Sequence, residues 1–272
     1  MKRHLLYASL LTAGVLCASQ GMAQDQVVTL TTAKANGEKV TLRVNQLKKG
    51  VTVDWGDGTT PDTLTGTSTA TVKWTPTHNY AAPGDYVIAL TVNGTFGIVW
   101  DSSGMSLLGY TSGSDNRNYA YRNAIQRVFL GSGITSIGDY AFFSCYSLTQ
   151  ITIPSGVTSI GQSAFQSCGC LASITIPSGV TSIGDYAFYG CDCLASVTLP
   201  SVVTSIGQSA FGYCYSVAFY DFTVCTAVPT LSDANAFTDI PADCEIRVPA
   251  ALLDEWKAAT NWATYANQIV GV

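Results

Sequence analysis

The chain carries one 23-residue pattern three times in direct succession, followed by a fourth copy of 22 residues: residues 135–157 read TSIGDYAFFSCYSLTQITIPSGV, residues 158–180 read TSIGQSAFQSCGCLASITIPSGV, residues 181–203 read TSIGDYAFYGCDCLASVTLPSVV, and residues 204–225 read TSIGQSAFGYCYSVAFYDFTVC. The copies align without gaps, so equivalent positions form columns, and many of these columns are apolar throughout. A fixed period of this length predicts a solenoid, in which each repeat is one coil that cannot bury its apolar face alone.

Each coil has the pattern of a short strand and a tight turn. The run from Leu148 to Pro154 places apolar residues on one face, which indicates a strand, and proline ends it because proline cannot donate to the ladder. Residues 139–145 predict a helical turn that buries an alanine and a phenylalanine. Burying roughly seven apolar side chains at about 1.5–3 kcal/mol each does not offset an ordering cost of about 1–2 kcal/mol per residue, so the coils must stack. The predicted fold is mainly β, with the solenoid over residues 128–249.

The repeat continues upstream in degenerate form. Ile125 and Val128 lie 23 residues before Leu148 and Ile151, and the terminal repeats of a solenoid diverge because they cap it. We therefore assign residues 101–127 to a junction and an N-terminal cap.

The repeat also continues downstream, after an interruption. The register breaks after Cys225 and returns three residues late at Ile246 and Val248. Residues 250–272 then carry an apolar stripe with helical spacing. The stripe consists of Leu252, Leu253, Trp256, Ala259, Trp262 and Ile269. It predicts a C-terminal helix that caps the last coil and covers its open edge.

Residues 1–24 have the layout of a secretory signal peptide. A short basic start precedes an apolar run, Leu5 to Leu16, that is too short to span a bilayer as a helix. Small residues at Gly21 and Ala23 predict cleavage after Ala23. Lipid anchoring at Cys17 is the alternative, although Leu16 before it is larger than a lipobox residue should be. We predict a secreted or cell-surface bacterial protein without a transmembrane segment.

Residues 25–100 predict a small β-sandwich. Several short β-branched runs are separated by polar turns, and the run from Val51 to Trp55 ends in Gly56-Asp57-Gly58, a tight-turn signal. Such spacing is typical of sandwich domains.

The same residues resemble a known family. The stretch VDWGDG at residues 53–58, followed by His78-Asn79-Tyr80, resembles the signatures of the polycystic-kidney-disease (PKD) type of immunoglobulin-like domain. The resemblance implies a spacer or adhesion module. Asp54 and Asp57 suggest calcium ligands, but two carboxylates are few for a cation that takes six or more oxygens. Asp57 shaping the turn is the favoured reading.

The repeats resemble the BspA-type leucine-rich repeat of bacterial surface and secreted proteins. The resemblance rests on the pattern Ile-Gly-x-x-Ala-Phe-x-x-Cys-x-x-Leu-x-x-Ile-x-Ile-Pro over about residues 120–249. It implies exported proteins that bind or adhere and are not enzymes. It implies no ligand and no set of binding residues.

The distribution of charge restricts the class of partner. Charged residues make up 11% of the chain, hydrophobic residues 47%, and the net charge is −5. No Lys or Arg occurs between Arg127 and Arg247. A solenoid without cations cannot neutralise phosphates, so we expect neither nucleic acid nor anionic lipid as a partner.

Cysteines recur within the repeats, and the column Cys145, Cys168, Cys191 and Cys214 predicts a stack of buried thiols. The pairs Cys168-x-Cys170 and Cys191-x-Cys193 suggest zinc, but zinc sites normally have C-x2-C or longer spacing, so we predict no metal. Neighbouring coils offer poor disulfide geometry. Cys225 with Cys244 is the favoured candidate disulfide, and we expect most thiols to be free and buried.

No combination of residues indicates catalysis, and no cofactor is expected. The one histidine after the predicted signal peptide is His78, and a Ser or Cys nucleophile in the solenoid would lack a neighbouring base. A two-carboxylate glycosidase site is the enzymatic alternative, although no pair of carboxylates is marked by the repeats.

We therefore predict a non-catalytic binding or adhesion protein that presents the solenoid to a protein or a glycan. An envelope component that assembles with itself is the alternative. The candidate binding residues lie on the lateral strand face and among convex aromatic side chains. They are Gln150, Thr152, Ser173, Thr175, Ser196, Thr198, Phe219 and Asp221 on the strand face, and Tyr146, Tyr189 and Tyr215 among the aromatics.

Overall fold

The structure is a computed structural model that describes residues 26–34, 39–41, 51–64, 77–79, 81, 84–92, 96–98, 125–131 and 134–272. The predicted signal peptide, the alternative anchor at Cys17 and most of the predicted junction lie outside the described residues. No helix of the described part is long and apolar enough to cross a bilayer.

The described chain is mainly β. Before the repeats, the strands are β1 (Gln26–Lys34), β2 (Lys39–Thr41), β3 (Val51–Asp54), β4 (Asp62–Leu64), β5 (Thr77–Asn79), β6 (Gly84–Val92) and β7 (Phe96–Ile98). The repeats contribute β8 (Ile125–Leu130), β9 (Ile134–Ile137), β10 (Gln150–Thr152), β11 (Ser159–Ile160), β12 (Ser182–Ile183), β13 (Ser196–Thr198), β14 (Ser205–Ile206), β15 (Phe219–Asp221), β16 (Thr230–Leu231) and β17 (Glu245–Val248). A helix, α1 (Leu253–Ala258), and a last strand, β18 (Ile269–Gly271), end the chain.

The coils stack through parallel ladders whose register is the repeat length. Ser159 pairs with Ser182, and Ser182 pairs with Ser205, in the sheet ordered β16-β14-β12-β11-β9-β7. On another side, β8 pairs with β10, and β13, β15, β17 and β18 form a second parallel set. These offsets confirm the predicted solenoid of 23-residue coils, including its degenerate first coil.

A column of phenylalanine rings runs through the core. Successive rings of Phe142, Phe165, Phe188, Phe211 and Phe237 are stacked, with centroids 5.2–5.4 Å apart and interplanar angles of 4–15°. All five side chains are buried. The predicted columns of Ile137, Ala141, Leu148 and Ile153 are buried as well. The apolar columns therefore share one continuous interior.

The cysteine column joins neighbouring coils by hydrogen bonds. The Cys168 thiol donates to the Phe142 carbonyl at 3.1 Å, and Cys191 and Cys214 donate to the equivalent carbonyls of the coils before them at 3.3 Å. The predicted stack of buried thiols is confirmed, and each of these three thiols satisfies a carbonyl of the preceding coil.

The alternation of Asp-Tyr and Gln-Ser in successive repeats has a structural basis. Asp139 Oδ1 accepts a hydrogen bond from the Gln162 amide at 2.8 Å, and Asp185 Oδ1 accepts one from the Gln208 amide at 2.7 Å. Aspartate in every second coil thus binds the backbone of the next coil. The glycine column beside it keeps the coils close: a Cβ added at Gly184 would lie 2.6 Å from the Gln162 nitrogen.

The N-terminal strands continue the solenoid sheet. Strand β1 pairs antiparallel with β8 on one side and with β6 on the other, in the order β10-β8-β1-β6-β3-β4. Strand β7 pairs in parallel with β9 in the other solenoid sheet. The backbone of β1 therefore covers the edge of β8 that would otherwise lie open. A closed immunoglobulin-like sandwich over residues 25–100 is not shown and stays a prediction.

The turn after β3 is fixed by side-chain contacts. Asp57 accepts hydrogen bonds from the Thr59 amide at 3.1 Å and its hydroxyl at 2.7 Å, and contacts His78 Nε2 at 2.6 Å. The His78 ring stacks on Trp55. Burial acts against ionisation, but the Thr59 hydrogen bonds and His78 outweigh it and lower the pKa of Asp57. The favoured role of Asp57 in shaping this turn agrees with these contacts.

The C-terminal helix is shorter than predicted. Helix α1 has six residues, a 3-10 turn covers Trp262–Tyr265, and β18 pairs in parallel with β17. The helix stops because Ala259 is extended and Asn261 has a left-handed backbone with φ 67°. The open edge of β17 gains more from a strand than from a continued helix, since the strand satisfies its backbone groups.

Aromatic side chains of the C-terminal segment close the core. Trp256 and Trp262 pack on Phe222, with ring centroids 4.9 and 5.5 Å away, and both tryptophans are buried. The Trp262 indole donates to the Pro229 carbonyl at 2.7 Å, and the Tyr265 hydroxyl donates to the Ala234 carbonyl at 2.5 Å. The segment therefore caps the last coil, as predicted, but it does so with one short helix, a 3-10 turn and a strand.

The close approach of coils at the glycine column predicts a large effect of a single methyl group. We expect Gly184→Ala to lower the free energy of unfolding by about 1–3 kcal/mol, because the added Cβ would meet backbone atoms that cannot move independently. Gly169→Ala is the matched control, since its Cβ would meet only Asp192 Oδ2 at 3.8 Å. Urea unfolding measures both variants, and equal stabilities would contradict the packing described here.

The buried thiols predict a loss of stability at alkaline pH. Burial raises the pKa of Cys214 to about 12, and it raises the pKa of Cys168 and Cys191 well above the ordinary value. In the unfolded chain these thiols ionise near pH 9. The stabilisation is therefore complete well below pH 9 and is lost as pH rises from about 9 towards the folded-state values, because the unfolded chain then releases protons that the folded chain retains.

Removing one buried thiol should reduce this slope. We expect Cys191→Ala to lessen the decline of unfolding free energy between about pH 9 and 10.5 by roughly 1 kcal/mol per pH unit, measured by urea unfolding. Cys193→Ala removes an exposed thiol and should leave the slope unchanged. Identical slopes for the two variants would refute the burial effect.

Candidate binding surfaces

The predicted strand face is an outward row of small polar side chains. Gln150, Thr152, Ser173, Thr175 and Thr198 are exposed, and Ser196 is half-buried. In β10 and β13 the row lies on regular strands. Residues 173–175 show the same alternation of exposed and buried side chains but do not form a regular strand. The structure therefore brings these side chains to one face.

The C-terminal end of this face is already engaged by its own neighbours. The Arg247 guanidinium lies over the Phe219 ring, 3.9 Å from its centroid, and Arg247 Nε donates to Glu245 Oε2 at 2.8 Å. Asp221 Oδ1 accepts two hydrogen bonds from Thr223, at 2.9 and 2.6 Å. Phe219 and Asp221 are both half-buried. They are consequently less available to a ligand than the polar row.

A second surface consists of four tyrosines on the turns of two neighbouring coils, which we call the tyrosine cluster: Tyr186, Tyr189, Tyr213 and Tyr215. The ring of Tyr189 lies 5.6 Å from Tyr186 and 4.8 Å from Tyr213, and Tyr213 lies 5.9 Å from Tyr215. Tyr215 is 57% exposed. The rings form one connected aromatic patch.

Two carboxylates flank the tyrosine cluster. Hydrogen bonding to Asp239 and the charge of that carboxylate raise the pKa of the Tyr213 phenol. Partial burial, followed by the charges of Asp239 and Asp192, raises the pKa of Tyr215. The phenols therefore stay protonated beside carboxylates, and the patch combines aromatic rings with negative charge.

The sequence predicted part of the tyrosine cluster and missed its extent. Tyr189 and Tyr215 were predicted as binding residues together with Tyr146, which is 42% exposed and belongs to an earlier coil. The three preceding coils have serine or glycine at the position of Tyr213. A tyrosine at this position was the feature of the sequence that could have identified it as part of the cluster. Asp239 was hidden by the three-residue shift of the register.

The described residues contain no group of three or more His, Cys, Asp and Glu side chains that could hold a metal ion. Cys168 and Cys191 face the core, whereas Cys170 and Cys193 are exposed. The two cysteines of each C-x-C pair therefore lie on opposite sides of the chain, one in the core and one at the surface. His78 is held between Asp57 and Trp55, as described above.

The candidate disulfide does not form in the structure. Cys225 and Cys244 are both free and buried. The Cys225 thiol donates to the Pro200 carbonyl at 3.6 Å, and the Cys244 thiol lies 3.9 Å from the Glu245 carbonyl oxygen. Each thiol thus contacts a backbone carbonyl in place of the other sulfur.

Comparisons with known proteins identify the repeats. Residues 115–240 match the family model for the BspA type leucine rich repeat region, in six copies. The described residues of this range form a leucine-rich-repeat solenoid, as the sequence pattern predicted. A search of curated proteins found no similar protein.

Several solved structures resemble part of the chain. A leucine-rich-repeat protein of T. pallidum is 31% identical, with a TM-score of 0.40, over 46% of this chain and 59% of the other. One from Bacteroides ovatus is 26% identical, with a TM-score of 0.38, over 63% and 40%. The pneumococcal vaccine antigen PcpA is 18% identical, with a TM-score of 0.45, over 62% and 43%. The matches therefore span less than two thirds of each of these chains.

The environments of the cysteines predict their reactivity. In the folded protein, a thiol-specific chromogenic reagent should react rapidly with Cys170 and Cys193, which are exposed, and only slowly with the six buried thiols. After unfolding without reductant, all eight cysteines between Cys145 and Cys244 should react. A deficit of two thiols that reductant restores would contradict the free state of Cys225 and Cys244.

Proposed function

We propose that this chain is an exported, non-catalytic binding or adhesion protein that presents its leucine-rich-repeat solenoid to a protein or a glycan at a bacterial surface. The observation that best supports this proposal is the contrast between the interior of the solenoid and its exterior. The interior is a closed stack of apolar and aromatic columns. Apart from its Cys, Tyr and Trp side chains, the polar side chains buried in the described part are Ser144, Ser163 and Ser209.

The exterior supplies what recognition requires and little of what catalysis requires. The strand face repeats a small polar side chain at each coil, which suits contact with an extended partner. The tyrosine cluster adds aromatic area, which is enriched at protein interfaces. A nucleophile with an adjacent base is not among the described residues of the solenoid, which contain no histidine between Arg127 and Arg247.

The N-terminal sequence supports export. Its basic start, apolar run and small residues before Gln24 follow the order of a secretory signal. Cleavage after Ala23 would release a chain of which β1 is the first described strand. Detection of Gln24 as the N-terminus of the protein recovered outside the producing cell tests this step.

Retention on immobilised ligands tests the function. The chain from Gln24 onwards should bind at least one member of a glycan array or a panel of extracellular-matrix proteins, in a manner that saturates with concentration. The triple variant Thr152→Arg, Thr175→Arg, Thr198→Arg changes the strand face. If that face binds, retention should fall roughly tenfold or more, because three bulky cations occupy it.

A matched variant controls for added charge. Thr158→Arg, Thr181→Arg, Thr204→Arg places the same three side chains at exposed positions on another side of the solenoid. It should leave strand-face binding within about threefold of the parent value. A folded chain that is retained by no ligand of either panel would refute the proposed function.

Self-assembly is a second candidate, and the sheet edges favour it. Among the described strands, β4 and β18 each have a single neighbour and lie at ends of their sheets. Unpaired edges at the two ends could join copies head to tail by strand addition. Light scattering across a concentration series separates the candidates, because an isolated monomer at high concentration would exclude assembly.

A further inference from the structure

The solenoid has an unusually one-sided charge distribution. Between Arg127 and Arg247 the chain has eight carboxylates and no Lys, Arg or His. The carboxylates are Asp139, Asp185, Asp192, Asp221, Asp233, Asp239, Asp243 and Glu245. The field around this segment therefore attracts cations and repels anions, so a cationic partner is favoured during encounter.

The tyrosine cluster is the place where this charge meets aromatic rings at the surface, of which Tyr215 is exposed and the other three are half-buried. Asp192 occupies the column of Tyr215, one coil earlier. The amide of Tyr213 donates to the Thr238 carbonyl at 2.8 Å, which sets the neighbouring Asp239 beside the Tyr213 ring. Asp192 therefore belongs to the same coil as Tyr186 and Tyr189, and Asp239 belongs to the coil after Tyr213 and Tyr215.

The local sequence makes room for this arrangement. A Cβ added at Gly212 would lie 3.2 Å from Cδ2 of Tyr189 and 2.9 Å from Cγ2 of Thr238. Glycine at this position therefore lets the Tyr189 ring lie over the next coil and approach Tyr213. The equivalent residues of the three earlier coils all carry side chains: Phe143, Gln166 and Tyr189.

The chain itself shows how such a surface recognises a cation. At the end of the strand face, Arg247 stacks over Phe219 while it pairs with Glu245. An aromatic ring together with a carboxylate thus holds a guanidinium within this same solenoid. The tyrosine cluster repeats that combination, with more rings and two carboxylates.

We propose that the tyrosine cluster, with Asp192 and Asp239, docks an arginine-bearing segment of a partner protein. This inference rests on the proposed binding function and names the partner class and the site. A guanidinium stacks on tyrosine faces and donates two parallel hydrogen bonds to one carboxylate, which an ammonium group cannot match. A neutral sugar donates hydroxyl hydrogen bonds to carboxylates but gains no charge pairing from them, and an acidic glycan is repelled by them.

A pair of matched peptides tests the proposal. The probe is Gly-Arg-Gly-Ser-Arg-Gly, and its control carries citrulline in place of both arginines, which keeps the shape and removes the charge. Calorimetric titration into the chain from Gln24 onwards should give a dissociation constant of about 1 mM or tighter for the arginine peptide. The citrulline peptide should bind roughly tenfold more weakly, and arginine-peptide binding should weaken with added salt.

Two independent double variants locate the site. Tyr213→Ser with Tyr215→Ser removes rings, and Asp192→Asn with Asp239→Asn removes charge while it preserves size. Each should weaken the arginine peptide by roughly tenfold. The controls are Tyr146→Ser, at the position equivalent to Tyr215 three coils earlier, and Asp254→Asn with Glu255→Gln, which removes the same charge from an exposed helix. Both controls should bind within about twofold of the parent.

Each outcome decides the proposal. Equal binding of the two peptides, equal losses in the controls, or absence of binding at millimolar arginine peptide would overturn it. Binding of neutral oligosaccharides that the tyrosine variant abolishes and the carboxylate variant spares would assign the cluster to a glycan and also overturn it. If the chain still binds its immobilised ligand under any of these results, the proposed function stands and only the site and partner class fall.

Discussion

The structure depends on the contact between equivalent residues of successive coils. A coil has too little interior to persist alone, so its phenylalanine, isoleucine and leucine side chains are buried only by the coils on either side. The 23-residue offset sets the register of the backbone ladders and the stacked rings, and the thiol-to-carbonyl hydrogen bonds, which each span 26 residues, recur with the same period. The glycine column keeps this distance short, because a Cβ at Gly184 would collide with the backbone of the preceding coil. The binding surfaces exist because this contact repeats.

Both ends of such a stack need a partner, and the chain supplies two different ones. At the N-terminal end, β1 forms an antiparallel pair with β8 and thereby joins the N-terminal strands to the solenoid. At the C-terminal end, β18 extends the ladder while Trp256 and Trp262 cover the last aromatic side chains of the core. The N-terminal strands thus do more than space the solenoid from its surroundings. Experiments on recognition should retain them.

The repeat could be predicted from the sequence because its signal is local and recurs. The columns of Phe142 and Cys168, and the late return of the register at Ile246, all follow from aligning the copies, and the structure places them in the core. The antiparallel pairing of β1 with β8 could not be predicted in this way, since it joins segments far apart in the chain without a repeated spacing. The predicted length of the C-terminal helix was wrong. An apolar stripe indicates which residues are buried and does not fix their secondary structure, and the open edge of β17 favoured a strand. The tyrosine cluster was found only in part, since its neighbours belong to different coils and the insertion displaces Asp239. The pairing of Arg247 with Phe219 required the folded register for the same reason.

The alternation of aspartate and glutamine bears on how the array grows. Asp139 and Asp185 each bind the amide of the following coil, and the intervening coil carries Gln162 in place of a carboxylate. Strands in one ladder lie about 4.8 Å apart, so aspartates in adjacent coils would face each other at a distance where like charges repel appreciably. Doubling that separation brings it close to the screening length of about 10 Å at 0.1 M salt. Duplication in steps of two coils therefore adds the least electrostatic repulsion between aspartates. The unit of duplication in this array is a pair of coils.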